Sequence, residues 1–328
     1  MIKQLSEHQP STINHQPSNV PEQIKVAVLR GGVGRERQVS LESGRCVAEA
    51  LERAGVEVVP SDIGPQEMQV LDRRDIDIFF LALHGEFGED GQLQQVFEDR
   101  GLAYTGSGPA ASRLAFDKMA SKRLFAGAGV EVPAAVEYSG VLEPEELEDR
   151  LRGLGERLVV KPIRQGSSVG VHLIDSRREA ITAAQRVLAE FGDCMIESLI
   201  PGREITVGVL GRQALPIIEI RSQAAFYDYH AKYVDNRTEY LFDTIEDPAV
   251  RTRVQRAALA CFEALGCRDF ARVDFILTED GTPYVLEVNT IPGFTSHSLL
   301  PKAAARIGLS MSDLCVGIVR TALAQRRK

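Results

Sequence analysis

Residues 271–275 read ARVDF, residues 285–289 read VLEVN, and TEDGT at 278–282 lies between them. An Asp-Gly pair between two alternating segments is a strong signal for a β-hairpin with a two-residue turn. With Asp280 and Gly281 in that turn, Asp274 faces Glu287 and Arg272 faces Asn289, and all four side chains project from one face. The sequence therefore predicts two carboxylates directly opposite each other on neighbouring strands.

Facing carboxylates about 5 Å apart repel each other unless a cation lies between them. Carboxylate and amide oxygens are the ligands that Mg²⁺ prefers, with bridging nucleotide phosphates completing its coordination. Asp274, Glu287 and Asn289 are thus predicted to bind Mg²⁺ or Mn²⁺. A solvated surface hairpin is the alternative, but the apolar opposite face and the sequence Thr290-Ile291-Pro292-Gly293 that follows favour a buried setting.

The composition of the 328 residues, 44% hydrophobic and 26% charged, is that of a globular protein with two or three domains. A net charge of −8 argues against a general nucleic-acid binder, because no domain-wide basic surface is available. Five cysteines without CxxC spacing favour reduced core thiols. No apolar run reaches the roughly 18 residues that would span a membrane, and polar residues 1–23 lack a secretory apolar core. Cytoplasmic residence is expected.

The pattern of strand, helix and strand from Lys25 to Leu83 predicts a parallel sheet, with Gly31-Gly32 and His84 at the carboxyl ends of strands, where ligands bind. After residue 116 the pattern changes to smaller units of mixed helix and strand. We therefore divide the chain into a flexible leader 1–23, a Rossmann-like N-terminal domain 24–116, a central domain 117–198 and a C-terminal domain 199–328.

Two loops carry further signals. Lys161-Pro162 leads through Gly166-Ser167-Ser168 to Gly170, and such small residues let backbone N–H groups approach an anion beside the lysine charge. Alone, this loop is an ordinary hairpin turn as readily as a phosphate site. Residues 226–233, FYDYHAKY, place three tyrosines and a lysine in an irregular segment and are typical of a lid, with local loop packing as the alternative.

These segments in this order resemble the D-alanine–D-alanine ligases of the ATP-grasp superfamily, from about Lys25 to the C-terminus. The resemblance implies an α/β fold of three domains, with α+β organisation in the ATP-binding part. It rests on the following stretches: Leu29-Arg30-Gly31-Gly32 to Ser40, His84-Gly85 to Gly91, Tyr104-Thr105-Gly106-Ser107-Gly108, Lys161-Pro162 to Gly170, Phe226 to Tyr233, and Glu287-Val288-Asn289-Thr290 to Leu299.

The resemblance also implies a reaction. ATP would phosphorylate the carboxylate of a first D-alanine, and the amine of a second would attack the acyl phosphate, for peptidoglycan precursor synthesis. By motif position, Glu36 would hold the first ammonium group, with Ser167 and Tyr233 hydrogen-bonded to it. Arg272 and the Gly293 N–H would stabilise the oxyanion. The remaining implied contacts are His84 beside the first substrate and Ser298 at the second carboxylate.

For the nucleotide, the resemblance implies phosphate contacts from three lysines and base and ribose contacts from three further residues, and it agrees with the metal ligands reached from the hairpin. The lysines are Lys118, Lys161 and Lys232, and the others are Glu197, Ile200 and Glu204. Family members also suggest a homodimer. Two alternatives stay open: a ligase of different small-acid specificity, such as a D-Ala-D-X or depsipeptide ligase, and a nucleotide-binding module without catalysis. Tyr233 in place of phenylalanine speaks against D-lactate as the acceptor.

Overall fold

The computed structural model describes residues 24–221 and 238–326 as helices packed on three β-sheets. The strands are β1 Lys25–Gly31, β2 Glu57–Ile63, β3 Ile78–Leu81, β4 Ala135–Tyr138, β5 Leu158–Pro162, β6 His172–Ile174, β7 Cys194–Ser198, β8 Arg203–Leu210, β9 Gln213–Ala214, β10 Ile218–Arg221, β11 Glu239–Phe242, β12 Phe270–Leu277 and β13 Pro283–Asn289. The α-helices are α1 Arg37–Arg53, α2 Gln92–Arg100, α3 Pro109–Phe116, α4 Lys118–Gly127, α5 Pro144–Leu151, α6 Arg177–Phe191, α7 Pro248–Ala264, α8 Leu299–Arg306 and α9 Met311–Arg326. Short 3₁₀ helices cover Gln69–Asp72 and Arg152–Leu154.

The predicted parallel sheet is confirmed, with β1 in the centre and parallel to both β2 and β3. Strand β1 is apolar throughout its middle because Val26, Ala27, Val28 and Leu29 are fully buried between covering layers. Helix α1 covers one side through Val47 and other apolar residues. As a result, the carboxyl ends of β1 and β3 deliver Gly31 and the His84 segment to the same edge of the sheet.

The predicted pairing at the hairpin is also confirmed. Strands β12 and β13 are antiparallel, with Asp274 opposite Glu287 and Arg272 opposite Asn289. They belong to the six-stranded sheet, whose order is β11-β10-β8-β12-β13 with β9 on β8. Since β12 has a partner on each side, the hairpin is not a free surface ribbon, and Asp274 is buried.

The expected two-residue turn was wrong. Thr278 and Thr282 close a three-residue loop, in which the Thr278 N–H donates to the Thr282 carbonyl at 3.1 Å and Gly281 has φ +79°. The register then shifts by one residue between Asp274 and Phe275, because Leu286 is an extra residue in β13. The longer turn and this β-bulge offset each other, which leaves the two carboxylates paired as predicted.

The central sheet has the order β4-β7-β5-β6 and is antiparallel. Helices α5 and α6 pack on it around a core that includes Leu147, Leu158 and Val187. The glycine-serine loop connects β5 to β6, as the sequence predicted. The chain then passes from β7 directly into β8 of the six-stranded sheet.

Three phenylalanines join the parallel sheet to the six-stranded sheet. Phe294 lies edge-on to both Phe80 of β3 and Phe270 of β12, with ring centroids 5.3 and 5.6 Å apart. All three rings are fully buried in a core shared with α1, α8 and α9. Because Phe294 follows Gly293 directly, this cluster fixes the position of the loop that enters the site described below.

All five cysteines are free, and Cys194, Cys261 and Cys315 are buried, in line with core thiols. Within residues 24–221 and 238–326, no single helix is long and apolar enough to cross a membrane, although α8 with most of α9, bent by 102°, meets those requirements as a pair. The domain boundaries proposed from the sequence remain predictions.

A buried carboxylate, Asp269, joins three parts of the chain just before β12. It accepts hydrogen bonds from the Gly106 N–H at 2.8 Å and from Gln325 Nε2 at 3.0 Å, near the end of α9. Burial raises the pKa of Asp269 to about 6. Its φ of +62° lies in the left-handed region, which asparagine and aspartate tolerate better than most residues.

Asp269→Ala should lower the free energy of unfolding by about 2–4 kcal/mol, because two buried donors lose their acceptor and alanine is strained at this φ. Asp269→Asn keeps an acceptor and tolerates the backbone conformation, so its cost should be below about 1.5 kcal/mol. Urea denaturation of both variants measures the difference. Equal losses for the two would contradict a specific role of the carboxyl oxygens.

Candidate active site

A cavity of about 710 Å³ lies between the central and six-stranded sheets. One part of its wall is apolar, with Val159 and Leu173 from the central sheet and Ile276 and Leu286 from the hairpin. The other part is polar and contains Lys118, Lys161, Asp274 and Glu287. All the described residues predicted to contact the nucleotide line this cavity: Lys118, Lys161, Glu197, Ile200 and Glu204.

Asp274 is fixed from two sides. Arg272 donates to both of its oxygens, from Nε at 2.9 Å and from Nη2 at 2.8 Å. Thr206, opposite on β8, donates its hydroxyl to Asp274 Oδ1 at 2.6 Å. A two-pronged arginine–carboxylate pair holds both groups in one geometry. Asp274 is therefore presented to the cavity in a defined orientation.

Glu287 lies on the same cavity wall, 3.5 Å from the ammonium of Lys118. That ammonium also donates to the Gln165 carbonyl at 2.6 Å, in the loop after β5. Burial lowers the pKa of Lys118 despite the nearby Glu287. An anionic ligand that brings further negative charge would favour the charged form of this lysine.

The three predicted metal ligands fit a hard cation in their chemistry. Asp274, Glu287 and Asn289 supply only oxygen donors and lie in register on one face of the hairpin. Asn289, however, lines neither this cavity nor the smaller one described below, and its Oδ1 accepts from the Ile291 N–H at 3.1 Å. Asp274 and Glu287 are thus the better-placed pair, and Asn289 lies further along the hairpin.

Glu197 forms the centre of a buried charge cluster on β7. Its carboxylate is 2% exposed and pairs with Lys161 at 2.5 Å and with Lys122 of α4 at 2.7 Å. Burial by itself raises the pKa of Glu197, but the two lysines together bring it below its ordinary value. The carboxylate is therefore ionised and held between two cations.

A second, smaller cavity shares Glu204, Asp274 and Glu287 with the first. Arg272 and Gly293, predicted to stabilise the oxyanion, and Ser298, predicted at the second carboxylate, all line this smaller cavity. Ser167 lines it as well. A Cβ atom at Gly293 would lie only 2.6 Å from Ser298 Oγ, so a side chain there would obstruct the cavity. The paired carboxylates Asp274 and Glu287 thus lie where the two cavities adjoin, together with Glu204 and Ile220.

Glu36 reaches this second cavity through Ser167, whose hydroxyl donates to Glu36 Oε1. Glu36 is the residue immediately before α1, where the helix dipole favours negative charge. A Cβ at Gly85 would lie 2.4 Å from Glu36 Oε2, which explains why glycine is needed there. The sequence prediction that Glu36 and Ser167 lie together is confirmed by this contact.

The loop that carries Ser167 adopts a backbone conformation unusual for its residues. Ser167 and Ser168 have φ of +51° and +57°, in the left-handed region. Each such non-glycine residue costs on the order of 1 kcal/mol or more. The hydrogen bond to Glu36 and the Val169 N–H bond to the Gly166 carbonyl at 3.1 Å stabilise this shape.

Glu89 is a buried carboxyl beside Glu36 to which the sequence analysis gave no role. The Gly85 N–H donates to its Oε2 at 2.7 Å, whereas Oε1 has no hydrogen-bond partner among the described residues. Burial, and then the charge of Glu36, raise the pKa of Glu89 well above its ordinary value. Burial and the neighbouring carboxylate thus both favour the protonated form of Glu89.

His84 lies behind the second cavity and not on its wall. Its ring is 5% exposed, bonds to the backbone of Ile291, and lies 3.1 Å from the Ser43 hydroxyl, which accepts from the Phe294 N–H at 3.3 Å. Burial lowers the pKa of His84 to about 4, and the charge of Arg272 adds to this effect. A neutral His84 thus fixes the Gly293-Phe294 loop from behind.

Two predicted site residues, Lys232 and Tyr233, lie outside the described residues, as does the whole predicted lid 226–233. Sequence reasoning missed Lys122, Ser43 and Glu89. The Glu89-Asp90-Gly91 motif gave a signal for Glu89. Nothing in the local sequence distinguishes Lys122 from a surface lysine of α4, since only the fold brings it to Glu197.

Because the pKa of His84 lies below its ordinary value of 6.5 in the folded state, the unfolded state binds more protons, and stability falls as the pH drops from about 6.5 towards 4. Between pH 7 and pH 4 the wild type should lose about 3 kcal/mol more unfolding free energy than His84→Gln. Denaturation at several pH values measures this. Parallel curves for the two proteins would show that His84 is not buried in its neutral form.

Comparison with known proteins agrees with this geometry. A family model described as D-ala D-ala ligase C-terminus matches residues 134–320, and one described as D-ala D-ala ligase N-terminus matches residues 64–107. A protein named D-alanine--D-alanine ligase from Magnetococcus marinus is 42% identical over 304 residues, which are 92% of this chain and 98% of that protein.

Two solved structures also resemble the chain. The D-alanine--D-alanine ligase of Bacillus anthracis, complexed with ATP, superimposes with a TM-score of 0.81 at 37% identity, covering 93% of this chain and 99% of that one. The VanG D-Ala:D-Ser ligase of Enterococcus faecalis gives a TM-score of 0.79 at 29% identity, with 92% and 99% covered. On the matched family models and the identity over nine-tenths of its length, the chain belongs to the D-alanine–D-alanine ligase family, with the ATP-grasp fold.

Proposed function

We propose that this protein joins two D-alanine molecules into D-alanyl-D-alanine at the expense of ATP. The γ-phosphoryl group passes to the carboxylate of the first D-alanine, which gives an acyl phosphate and ADP. The amine of the second D-alanine attacks that carbonyl, and the tetrahedral intermediate releases inorganic phosphate. The dipeptide serves peptidoglycan precursor synthesis, the role of this family.

One observation carries the proposal: two adjoining cavities are separated by the Asp274–Glu287 pair. The larger one has lysines at its polar end and apolar walls beyond, which suits a nucleotide. The smaller one presents Arg272 and a glycine-serine loop, which suits a small acid. A phosphoryl donor and an acceptor carboxylate can therefore meet at the boundary.

The side chains of the smaller cavity support definite roles. Glu36, which accepts from the Ser167 hydroxyl at the start of α1, attracts the ammonium of the first D-alanine. Arg272, oriented by Asp274, and the backbone at Gly293 stabilise the oxyanion as it forms. Ser298 binds the carboxylate of the second D-alanine, near the first turn of α8.

Lys118 and Lys161 bind the nucleotide phosphates, and Asp274, Glu287 and Asn289 would hold Mg²⁺ or Mn²⁺. A bound divalent ion neutralises phosphate charge and orients the transferred group. Lys232 and Tyr233 complete the proposed set from the segment 226–233. Cytoplasmic residence and a homodimer stay predictions of the sequence.

Incubation of the protein with ATP, Mg²⁺ and D-alanine should give D-alanyl-D-alanine, detected by mass, and one ADP per dipeptide. Omission of D-alanine should stop ADP release, and L-alanine should not replace it. Because one related structure is a D-Ala:D-Ser ligase, D-serine, glycine and D-lactate in competition with D-alanine test the alternative of another second substrate. A product other than the D-alanine dipeptide as the main species would support that alternative.

Glu36→Gln should raise the KM for D-alanine by about tenfold or more, because an amide attracts the substrate ammonium much less than a carboxylate does. Glu42→Gln, in the helix that Glu36 precedes but with its partner Arg45 on the surface, serves as the matched control and should leave the KM unchanged. Steady-state kinetics against D-alanine give both values. An unchanged KM in Glu36→Gln would remove Glu36 from the substrate site.

Glu287→Gln should strongly weaken the Mg²⁺ dependence of ADP binding with the fold intact, since an uncharged amide oxygen attracts a divalent cation less than a carboxylate does. Glu279→Gln, in the turn of the same hairpin, is the control and should bind Mg²⁺ and ADP as the wild type does. Calorimetric titration of ADP with and without Mg²⁺ provides a readout independent of turnover. Equal Mg²⁺ dependence in all three proteins would contradict the metal assignment.

A further inference from the structure

Lys122 is a buried lysine that the proposed mechanism does not use. Its side chain is 5% exposed, and it extends from α4 towards β7. Lys122 does not line the large cavity. Its ammonium donates to the Pro133 carbonyl at 2.8 Å and pairs with Glu197 at 2.7 Å, and Pro133 and Glu197 both line that cavity. Lys122 therefore acts on the cavity through other groups.

The cost of this arrangement indicates a function. A lysine almost removed from water loses hydration, and burial lowers the pKa of Lys122 in spite of the adjacent carboxylate. Apolar residues of similar volume would fill such a site at no such cost. The pair is thus expected to serve a requirement of the cavity and not only the stability of the fold.

That requirement follows from the two partners of Glu197. Lys161 pairs with one carboxylate oxygen and is also the lysine proposed to bind phosphate. When a nucleotide takes a share of the Lys161 charge, Glu197 would remain in a nearly dry site without a full counter-charge. Lys122, on the other oxygen, supplies that charge independently of the phosphates.

The surroundings of Glu197 suit a planar base. Val159 lies beside it on β5, Leu199 and Ile200 follow it closely in the chain, and Leu173 closes the same wall. An ionised carboxylate accepts hydrogen bonds and donates none. It therefore attracts the 6-amino group of a purine and repels a 6-oxo group at the same position.

From these contacts we propose that Lys122 is the positioning residue that sets base selectivity. Its positive charge keeps Glu197 ionised and orients the carboxylate, which then accepts from the 6-amino group of ATP and excludes 6-oxopurine nucleotides. The inference rests on the nucleotide site of the proposed function. It deepens that function by assigning the choice of base to a residue outside the cavity wall.

The test compares Lys122→Met with Arg123→Met, its neighbour on α4, whose partner Glu137 is at the surface. Binding of ATP and of ITP with Mg²⁺ is titrated by calorimetry without D-alanine. The wild type and Arg123→Met should prefer ATP. In Lys122→Met, ATP affinity should fall by about tenfold, whereas ITP affinity should change less than about threefold, because a 6-oxo group does not use the Glu197 acceptor. Lys122→Arg should restore part of the preference.

Equal losses for ATP and ITP, or an unchanged ratio of the two affinities, would overturn the assignment. If Lys122→Met lacks a cooperative unfolding transition, Lys122→Gln, which retains a donor for the Pro133 carbonyl, replaces it under the same criteria. Since no D-alanine is present, the two proposals fail separately. If the protein binds ATP selectively but the separate product assay yields no dipeptide, the ligase assignment alone is refuted. If the wild type binds ATP and ITP equally, the role of Lys122 alone is refuted.

Discussion

Two carboxylates that face each other across a β-ladder require positive charge nearby, and the architecture around Asp274 and Glu287 supplies it from several directions. Arg272 lies on β12 beside Asp274, and Lys118 comes from the start of α4. The glycine-serine loop and the two cavities lie around this carboxylate pair. Like charges at such a distance are unfavourable in a dry site, so their pairing marks the position where cationic ligands belong.

The same principle extends away from the hairpin. Glu197 lies between two lysines, and Glu36 lies beside Glu89, a carboxyl whose pKa burial raises. The two lysines favour the ionised form of Glu197, whereas burial and the adjacent Glu36 favour the protonated form of Glu89.

The sequence predicted the parallel sheet and the hairpin partners well because both follow from short-range alternation and buried runs. The predicted two-residue turn was wrong, because the loop has three residues. A local Asp-Gly signal cannot reveal the bulge at Leu286, which offsets the extra loop residue. The predicted place of His84 beside the first substrate stays a prediction, and in the structure its ring lies behind the loop that carries Gly293. Lys122 was beyond prediction because its partner comes from a strand more than seventy residues later, which only tertiary packing brings near.

The left-handed serines of the loop after β5 have a mechanical consequence. Their conformation is held partly from outside, by the carboxylate of Glu36 at the start of α1, and partly by the Val169–Gly166 backbone hydrogen bond within the loop. Displacement of the start of α1 away from the loop would break the bond from Ser167 to Glu36 and remove one of the contacts that offset the cost of these backbone angles. The shape of the loop beside both cavities therefore depends on how the parallel sheet and its first helix are placed against it.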